Sequence, residues 1–492
     1  MRISIQNLNF TYDGSAEPVF PGWSVELDTG WRLGLTGRNG RGKTTLLRLL
    51  CGTYPHGGTI QLPLMPVYFP YTVEDPDEMT LDVMEAASGG EPMWKLMREM
   101  NQLELREDVL YRAFSTLSRG EQTKALLCAL FTREDVYPLI DEPTNHLDLN
   151  GRQAVARYLR RKDGFLLVSH DRAFLNECID HVLSINRTGF EVVQGDYDSW
   201  QEQFDRRNAY ELKRNSELKQ DIARLSESAR QAAAFASRTE KDKFHVPESE
   251  AAITDRGYVG ARSAAMMKRA KNPLRRRERA LDEKRELLHD VESVGDLKIT
   301  TLSHPKKELV TVENGFVAYG DSVLLENIAF TLRQGERVAL TGANGCGKSS
   351  ILKTIAGVSG ALKGTLRMPN GLILSYVPQE TDFLRGSLRE YIRYNQLDES
   401  LLKAILRNLG LGREQFDLPL EGYSDGQKKK LLLAASLAKP AHLYLWDEPL
   451  NYIDVLSRRQ IEELLLQASP TMLLVEHDRM FLDHVTDRRI EL

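Results

Sequence analysis

The sequence predicts an α/β protein: two copies of one parallel-sheet domain joined by an antiparallel α-helical hairpin. Three observations carry this reading: a duplicated glycine-rich motif, acidic and histidine motifs that keep step with it, and a charged, β-poor stretch between the copies. Gly37-Arg-Asn-Gly-Arg-Gly-Lys-Thr44 is echoed by Gly342-Ala-Asn-Gly-Cys-Gly-Lys-Ser349, 305 residues later. Asp141 and Asp447, then His170 and His477, keep nearly the same offset, which marks an internal repeat. A chain of 492 residues exceeds what one hydrophobic core usually serves. The expected division is therefore 1–198, a linker at 199–297, and 298–492.

The first element, Met1-Arg-Ile-Ser-Ile, alternates apolar and polar like a strand and lacks the apolar core of a signal peptide. With 41% hydrophobic and 27% charged residues the composition is globular, and no apolar run reaches the 18 residues that would suggest a membrane span. Cys51, Cys128, Cys178 and Cys346 are scattered without metal-ligand spacing, which suits reduced thiols in a cytoplasmic protein. The net charge of −5 argues against a chain coated in nucleic acid, although a total can hide a local basic patch.

Each glycine-rich motif follows an apolar strand, Trp31 to Leu35 or Val338 to Leu340, and opens an apolar helix. That order defines a phosphate-binding loop. Gly37, Asn39, Gly40 and Gly42, and Gly342, Asn344, Gly345 and Gly347, let backbone N–H groups close around phosphates at a helix N-terminus. Lys43 and Lys348 supply a point charge, Thr44 and Ser349 a magnesium ligand, and Thr45 and Ser350 extend the loop. Asp141-Glu-Pro-Thr-Asn-His-Leu-Asp148 and Asp447-Glu-Pro-Leu-Asn-Tyr-Ile-Asp454 come next, each after apolar residues. Asp141 and Asp447 are expected to hold hydrated magnesium, while Glu142 and Glu448 polarise the attacking water. His170 and His477 follow the apolar strands Phe165 to Val168 and Met472 to Val475. A lone histidine is usually structural, but two at matched positions point to contact with a γ-phosphate. Tyr12 and Tyr319 precede the loops and suit stacking on adenine, with a core aromatic as the plainer alternative.

The intervening segment is rich in Arg, Lys, Glu, Gln and Ala. Leu218, Ile222, Leu225, Ala229, Ala232 and Ala236 follow a 4-3-4-3-4 spacing, and Met267, Leu274, Leu281 and Leu288 recur every seven residues. Two helical arms are expected, with Lys241 to Gly260 as the loop between them, because Pro247, Gly257 and Gly260 break the heptad. Between Arg262 and Arg279 eight basic residues face one acid. A solvated helical face usually mixes signs; this one does not. Phe244, Tyr258, Met266 and Met267 beside Arg262, Lys268, Arg269, Lys271, Arg275, Arg276 and Arg277 suit RNA, through stacking and phosphate contacts together.

With Leu117-Ser-Arg-Gly-Glu-Gln122 and Tyr423-Ser-Asp-Gly-Gln427 added to the loops, the Asp-Glu-Pro segments and the histidines, both copies resemble the ATP-binding-cassette superfamily. The fold this implies is a pair of P-loop NTPase ATP-binding-cassette domains. They face head to tail, so each Mg2+-bound ATP lies between one P-loop and the other copy's signature. Lys43 and Glu142 would then pair with Ser424 and Gly426, and Lys348 and Glu448 with Ser118 and Gly120. Gln379 matches the family's Q-loop glutamine, a magnesium and water partner, whereas the first copy has Tyr71 there. The opposing signatures carry Asp425 for the Lys43 site and Arg119 for the Lys348 site, so like charge should weaken one and opposite charge aid the other. The Lys348 site is accordingly expected to turn over faster.

Two cassettes in one chain, a linker of this length, and Gly195-Asp-Tyr197 with Trp200 leading into it resemble the ABC-F family. That resemblance implies a monomer which pairs its own cassettes. It binds the ribosome at the tRNA exit site and pushes the linker tip towards the peptidyl-transferase centre, against large-subunit rRNA and P-site tRNA. Asp255-Arg-Gly-Tyr258, Ala264-Ala-Met-Met-Lys-Arg269 and Tyr423-Ser-Asp-Gly-Gln-Lys-Lys-Lys430 look most like the Lsa/Vga-type resistance members, which protect ribosomes from lincosamides, pleuromutilins and streptogramin A. The intervals from P-loop lysine to signature serine, 75 and 76 residues, leave no room for an extra arm, and a chain ending at Leu492 also resembles that group. A housekeeping factor for stalled ribosomes would share nearly every motif. The ATPase subunit of a transporter would need only a short tether here, and a DNA-repair ATPase would interrupt one cassette rather than separate two.

Overall fold

The computed structural model describes residues 1–13, 18–37, 40–145, 147–186, 188–243, 299–319 and 322–492. In the N-terminal copy five parallel strands lie in the spatial order Met65–Phe69, Val136–Asp141, Phe165–Val168, Arg32–Thr36 and His181–Ile185, with Phe190–Gln194 antiparallel at the edge. The C-terminal copy repeats the order with Leu374–Val377, Leu443–Asp447, Met472–Val475, Arg337–Thr341 and Arg488–Glu491. Phe165–Val168 and Met472–Val475 are buried at every position, as a parallel sheet covered on both faces requires.

A three-stranded antiparallel sheet flanks each parallel sheet. In the first copy Arg2–Phe10 runs between Phe20–Asp28 and Gly57–Gln61; in the second Glu308–Tyr319 runs between Ser322–Arg333 and Leu362–Arg367. The helices Lys43–Leu50 and Lys348–Ile355 sit between the two sheets of their copies. Leu46 and Leu49 pack with Ile3, Ile5, Leu33 and Leu35, and Ile351 and Leu352 with Val310, Val312 and Leu340. The strand feeding each P-loop is thus central, flanked by the strand that ends in the histidine. The P-loops, the Asp-Glu pairs and the histidines emerge at the carboxyl ends of adjacent parallel strands, where open α/β sheets bind ligands.

Met1–Trp200 and Gly295–Leu492 form one compact unit. Its halves meet through a buried ion pair between the Arg172 guanidinium and the Glu462 carboxylate. Gln201–Val294 form a second unit. Into it runs a helix, Tyr197–Lys243, of 47 residues, or about 70 Å at 1.5 Å per residue. It starts at Tyr197, two residues before the expected linker boundary, where the Tyr197 ring lies 5.2 Å from that of the buried Trp200. The helix runs through Lys241–Lys243, where the hairpin loop is expected to start; the rest of that loop, the second arm and the RNA-contact candidates Phe244, Tyr258, Arg262, Met266, Met267, Lys268, Arg269, Lys271, Arg275, Arg276 and Arg277 lie outside the described residues.

Candidate nucleotide sites

Both P-loops have the backbone that phosphate binding needs. Gly37 and Gly342 adopt φ of 148° and 146°, and a Cβ there would meet the Ile185 carbonyl oxygen at 2.9 Å or that of Leu492 at 2.8 Å. Gly42 and Gly347 cap the following helices in the left-handed region, open to glycine without strain. Asn39 lies outside the described residues. Lys43 Nζ donates to the Gly37 carbonyl at 2.6 Å, and Lys348 Nζ to those of Gly342 and Ala343 at 2.9 and 2.8 Å. Each ammonium is held by loop carbonyls inside the ring a phosphate would enter.

The acidic pairs owe their geometry to a strained residue. Asp141 and Asp447 end their strands, and Glu142 and Glu448 follow at φ of 53° and 46°, a left-handed conformation uncommon for a residue with a long side chain. That turn sends the two neighbouring carboxylates apart. Thr44 Oγ1 donates to Asp141 at 3.0 Å and Ser349 Oγ to Asp447 at 2.9 Å. Glu142 faces His170 Nε2 at 3.4 Å, and Glu448 faces His477 Nε2 at 3.6 Å.

Tyr12 and Tyr319 are not core aromatics. They are 42% and 54% exposed, and their hydroxyls meet Thr45 Oγ1 and Ser350 Oγ, each at 2.7 Å. Ring faces held beside the P-loop helix suit a planar base.

One cavity of about 1090 Å³ joins the copies. Tyr319, Asn344, Gly345, Lys348, Ser349, Ser350, Gln379, Glu448 and His477 line one side, and Ser118, Arg119 and Gly120 the other. Ser118 caps the helix Arg119–Thr132 through a capping box with Glu121, and the helix N-terminus adds its partial positive charge to that wall. Ser424 caps Asp425–Ala438 in the same way. Asp425, expected at the Lys43 site, also lines this cavity, and burial with the Asp425 charge pushes the Tyr452 phenol up against the opposing pull of Arg119.

Around Lys43 the second copy also intrudes. Burial pushes the Lys43 ammonium down, opposed by Asp454, while Lys430, paired with Asp454 at 2.7 Å, reinforces the fall. Burial, with Lys43 and Arg458 nearby, likewise holds His170 well below the ordinary imidazole range.

The carboxylates differ most. Burial and neighbouring Asp141 push Glu142 up to about 8, and its Oε1 is buried with no hydrogen-bond partner among the described residues. Burial also acts on Glu448, but the approach of His477, the Gln379 amide and Lys429 outweigh it and hold the group at about 2. Asn451 Nδ2 adds a hydrogen bond to Glu448 Oε2 at 2.6 Å. At the Q-loop position of the first copy the Tyr71 hydroxyl is buried without a partner among the described residues. Asp141 Oδ2 is taken up by the Tyr68 hydroxyl at 2.9 Å, whereas Asp447 Oδ2 is buried with no hydrogen-bond partner among the described residues. A hydroxyl and a free carboxylate oxygen side by side are the donor set a hydrated magnesium ion takes, so Ser349 and Asp447 fit it.

Lys429 and Lys430 enter the sequence reading only through a family likeness, with no role in the site. Lys428-Lys-Lys430 reads as a solvated charge run, yet Lys429 and Lys430 are 1% and 3% exposed. The apolar Leu431-Leu-Leu433 immediately after, on the same helix, was the available clue.

Two α/β halves with paired phosphate loops and a shared cavity define a tandem nucleotide-binding protein of the P-loop class. The ABC transporter family profile matches residues 20–145 and again 325–451. The chain belongs to that family and carries its ATP-binding domain twice; its homologues are ABC-F proteins. It is 28% identical to the ribosome protection protein VmlR of Bacillus subtilis over 98% of this chain and 85% of that one. It is also 28% identical to the ATP-binding protein Uup of Caulobacter vibrioides, over 97% of this chain and 75% of that one. A solved archaeal ribosome recycling factor, aABCE1, crystallised with the stalk protein aP1, shares the fold with a TM-score of 0.64 and 21% identity, covering 99% of this chain and 87% of that one. Among the described residues no helix is long and apolar enough to cross a membrane.

Proposed function

We propose that the chain is a cytoplasmic, monomeric ATPase that binds the ribosome, enters from the tRNA exit site, and extends its linker towards the peptidyl-transferase centre to protect the ribosome from lincosamides, pleuromutilins and streptogramin A. The observation that carries the reading is similarity, over nearly the whole chain, to a ribosome protection protein in which the tandem domains and the linker are matched together. Equal identity to Uup favours one other reading, a housekeeping translation factor acting on stalled ribosomes.

In this reading Tyr319 stacks on adenine, the loop N–H groups and Lys348 hold the β- and γ-phosphates, and the Ser118 helix of the opposite cassette closes on the γ-phosphate. Ser349 and Asp447 would hold the magnesium ion, which would supply positive charge to the phosphate oxygens. Glu448, ionised at neutral pH, orients water in line with the γ-phosphorus and accepts its proton. The bond to the β-γ bridging oxygen breaks, giving ADP and phosphate. His477 contacts the γ-phosphate beside it. The Lys43 site has the same parts, Thr44, Asp141, Glu142, His170, Tyr12 and Ser424, but its glutamate is largely protonated at pH 7, so it turns over more slowly. ATP-bound closure fixes the linker's angle, and hydrolysis releases it.

Sedimentation of the Glu142→Gln/Glu448→Gln variant with ribosomes tests the proposal. ATP-dependent co-sedimentation is expected, with restored translation in drug-inhibited extract. Co-sedimentation without drug protection selects the housekeeping reading, and no binding rejects both. If the linker neutralises about seven phosphates, log affinity should fall with log salt at a slope on the order of −5 to −6, and changing Arg275, Arg276 and Arg277 to Gln should flatten it.

A further inference from the structure

Lys429 is a buried cation that the steps above do not use. It stands five residues into the signature helix of the second cassette, 1% exposed, and all its hydrogen bonds go to backbone carbonyls. Its Nζ donates to Pro378 at 2.7 Å, Gln379 at 3.0 Å and Asp447 at 3.3 Å. Three carbonyl acceptors match the three protons of an ammonium, so the group is fully satisfied although enclosed. Those carbonyls belong to the Q-loop and to the end of the strand that delivers Asp447 and Glu448. The signature helix, whose Ser424 serves one ATP site, is thereby pinned to the Q-loop and strand end of the other.

The first cassette has no such pin. Ser118 aligns with Ser424, so Thr123 occupies the place of Lys429, and its hydroxyl turns back to the Arg119 carbonyl of its own helix at 2.9 Å. The Q-loop there is tied differently, through the Tyr68 hydroxyl on Asp141.

We infer that Lys429 is a positioning residue of the Lys348 site: by clamping the Pro378 and Gln379 carbonyls to the Asp447 strand end it aims the Gln379 amide at Glu448 and couples that aim to the signature helix of the Lys43 site. The inference rests on the ATPase reading above and names a residue that makes its two sites unequal. Lys429 touches neither nucleotide nor water in this scheme. Its removal should loosen Gln379 and lower turnover while leaving the P-loop, and so nucleotide affinity, intact.

The test uses the full chain carrying Glu142→Gln, so that turnover reports the Lys348 site. Lys429→Met should lower kcat about tenfold, with the Kd for a fluorescent ATP analogue within twofold of its parent. Adding Gln379→Ala to Lys429→Met should cost less than a further twofold, although Gln379→Ala alone costs about as much as Lys429→Met, because both act through one contact. Equal losses in kcat and in affinity, or full multiplication of the two effects, overturns the inference. If Lys429→Met melts below the assay temperature, Lys429→Gln replaces it in the same cycle with the same criteria. A parent with no turnover overturns the ATPase reading beneath the inference; an active parent with an additive cycle overturns the inference alone.

Discussion

The two cassettes share a frame and differ in what surrounds one carboxylate. Both have a glutamate at positive φ, a histidine within 3.6 Å, a hydroxyl on the preceding aspartate and an exposed tyrosine beside the loop. Yet Glu448 is held at about 2 and Glu142 at about 8. Burial acts on both. At Glu448 it is outweighed by His477 first, then by the Gln379 amide and Lys429, whereas at Glu142 neighbouring Asp141 pushes the same way as burial; where the second cassette places that amide and ammonium, the first has the Tyr71 phenol and Thr123. Duplication therefore preserved the backbone device that aims the base and changed the polar neighbours that decide its protonation.

The largest expected effect breaks the comparison directly. Glu448→Gln should lower steady-state ATP turnover about 100-fold, an amount common for removing a general base, while Glu142→Gln costs only a few-fold. Single-turnover phosphate release measured on both variants checks this, and a larger loss from Glu142→Gln would refute the assignment. The next effect is in pH. With Glu448→Gln in place, residual turnover comes from the Lys43 site, whose base is the minor, ionised form of a group at about 8. The active form grows as pH rises, so turnover should increase about eight- to tenfold between pH 7 and 9. With Glu142→Gln in place the base is ionised throughout, so that rise should be absent; burial holds the Lys429 ammonium down at about 8, so turnover should instead fall towards pH 9.

Away from nucleotide, the halves differ in their contact. The Arg172–Glu462 pair is buried, and Ala156 stands where the first cassette would need the counterpart of Glu462. Glu462→Gln leaves Arg172 enclosed beside a neutral group. A loss of about 3 kcal/mol in unfolding free energy is expected, measured by urea titration, since breaking one side of a buried pair strands the other charge.

What the sequence made legible follows from where the chemistry is local. The P-loops, the Asp-Glu pairs and the histidines are contiguous motifs, each bound to a strand end by chain connectivity, so their spacing alone predicted two parallel-sheet domains. Pairing Lys348 with Ser118 needed the family resemblance, because the partners are 230 residues apart. The protonation of Glu142 and Glu448 was out of reach. It depends on His477, Gln379 and Lys429 around Glu448 and on Asp141 beside Glu142, and Lys429 reads as surface charge. Side chains brought together only by the fold leave no periodic or motif signal.

The smallest effect sharpens the comparison most, because it moves one cassette towards the other. The Tyr71 ring packs edge-on against Phe69, with centroids 6.0 Å apart, and its hydroxyl is buried without a partner among the described residues. Tyr71→Gln removes that unpaired group and supplies the amide that the second cassette aims at its glutamate. Two terms then oppose each other. Lost ring packing should cost about 1–3 kcal/mol of stability, as other large-to-small core changes do. A hydrogen bond to the ionised carboxyl should bring Glu142 down from about 8 towards the ordinary carboxylate range. In the Glu448→Gln background turnover at pH 7 should therefore rise about threefold, and the rise with pH should begin at lower pH. If the pH profile stays where it was while the melting temperature falls, the amide at this position is not what separates the two sites, and the difference rests on Lys429 and the charges that face each glutamate.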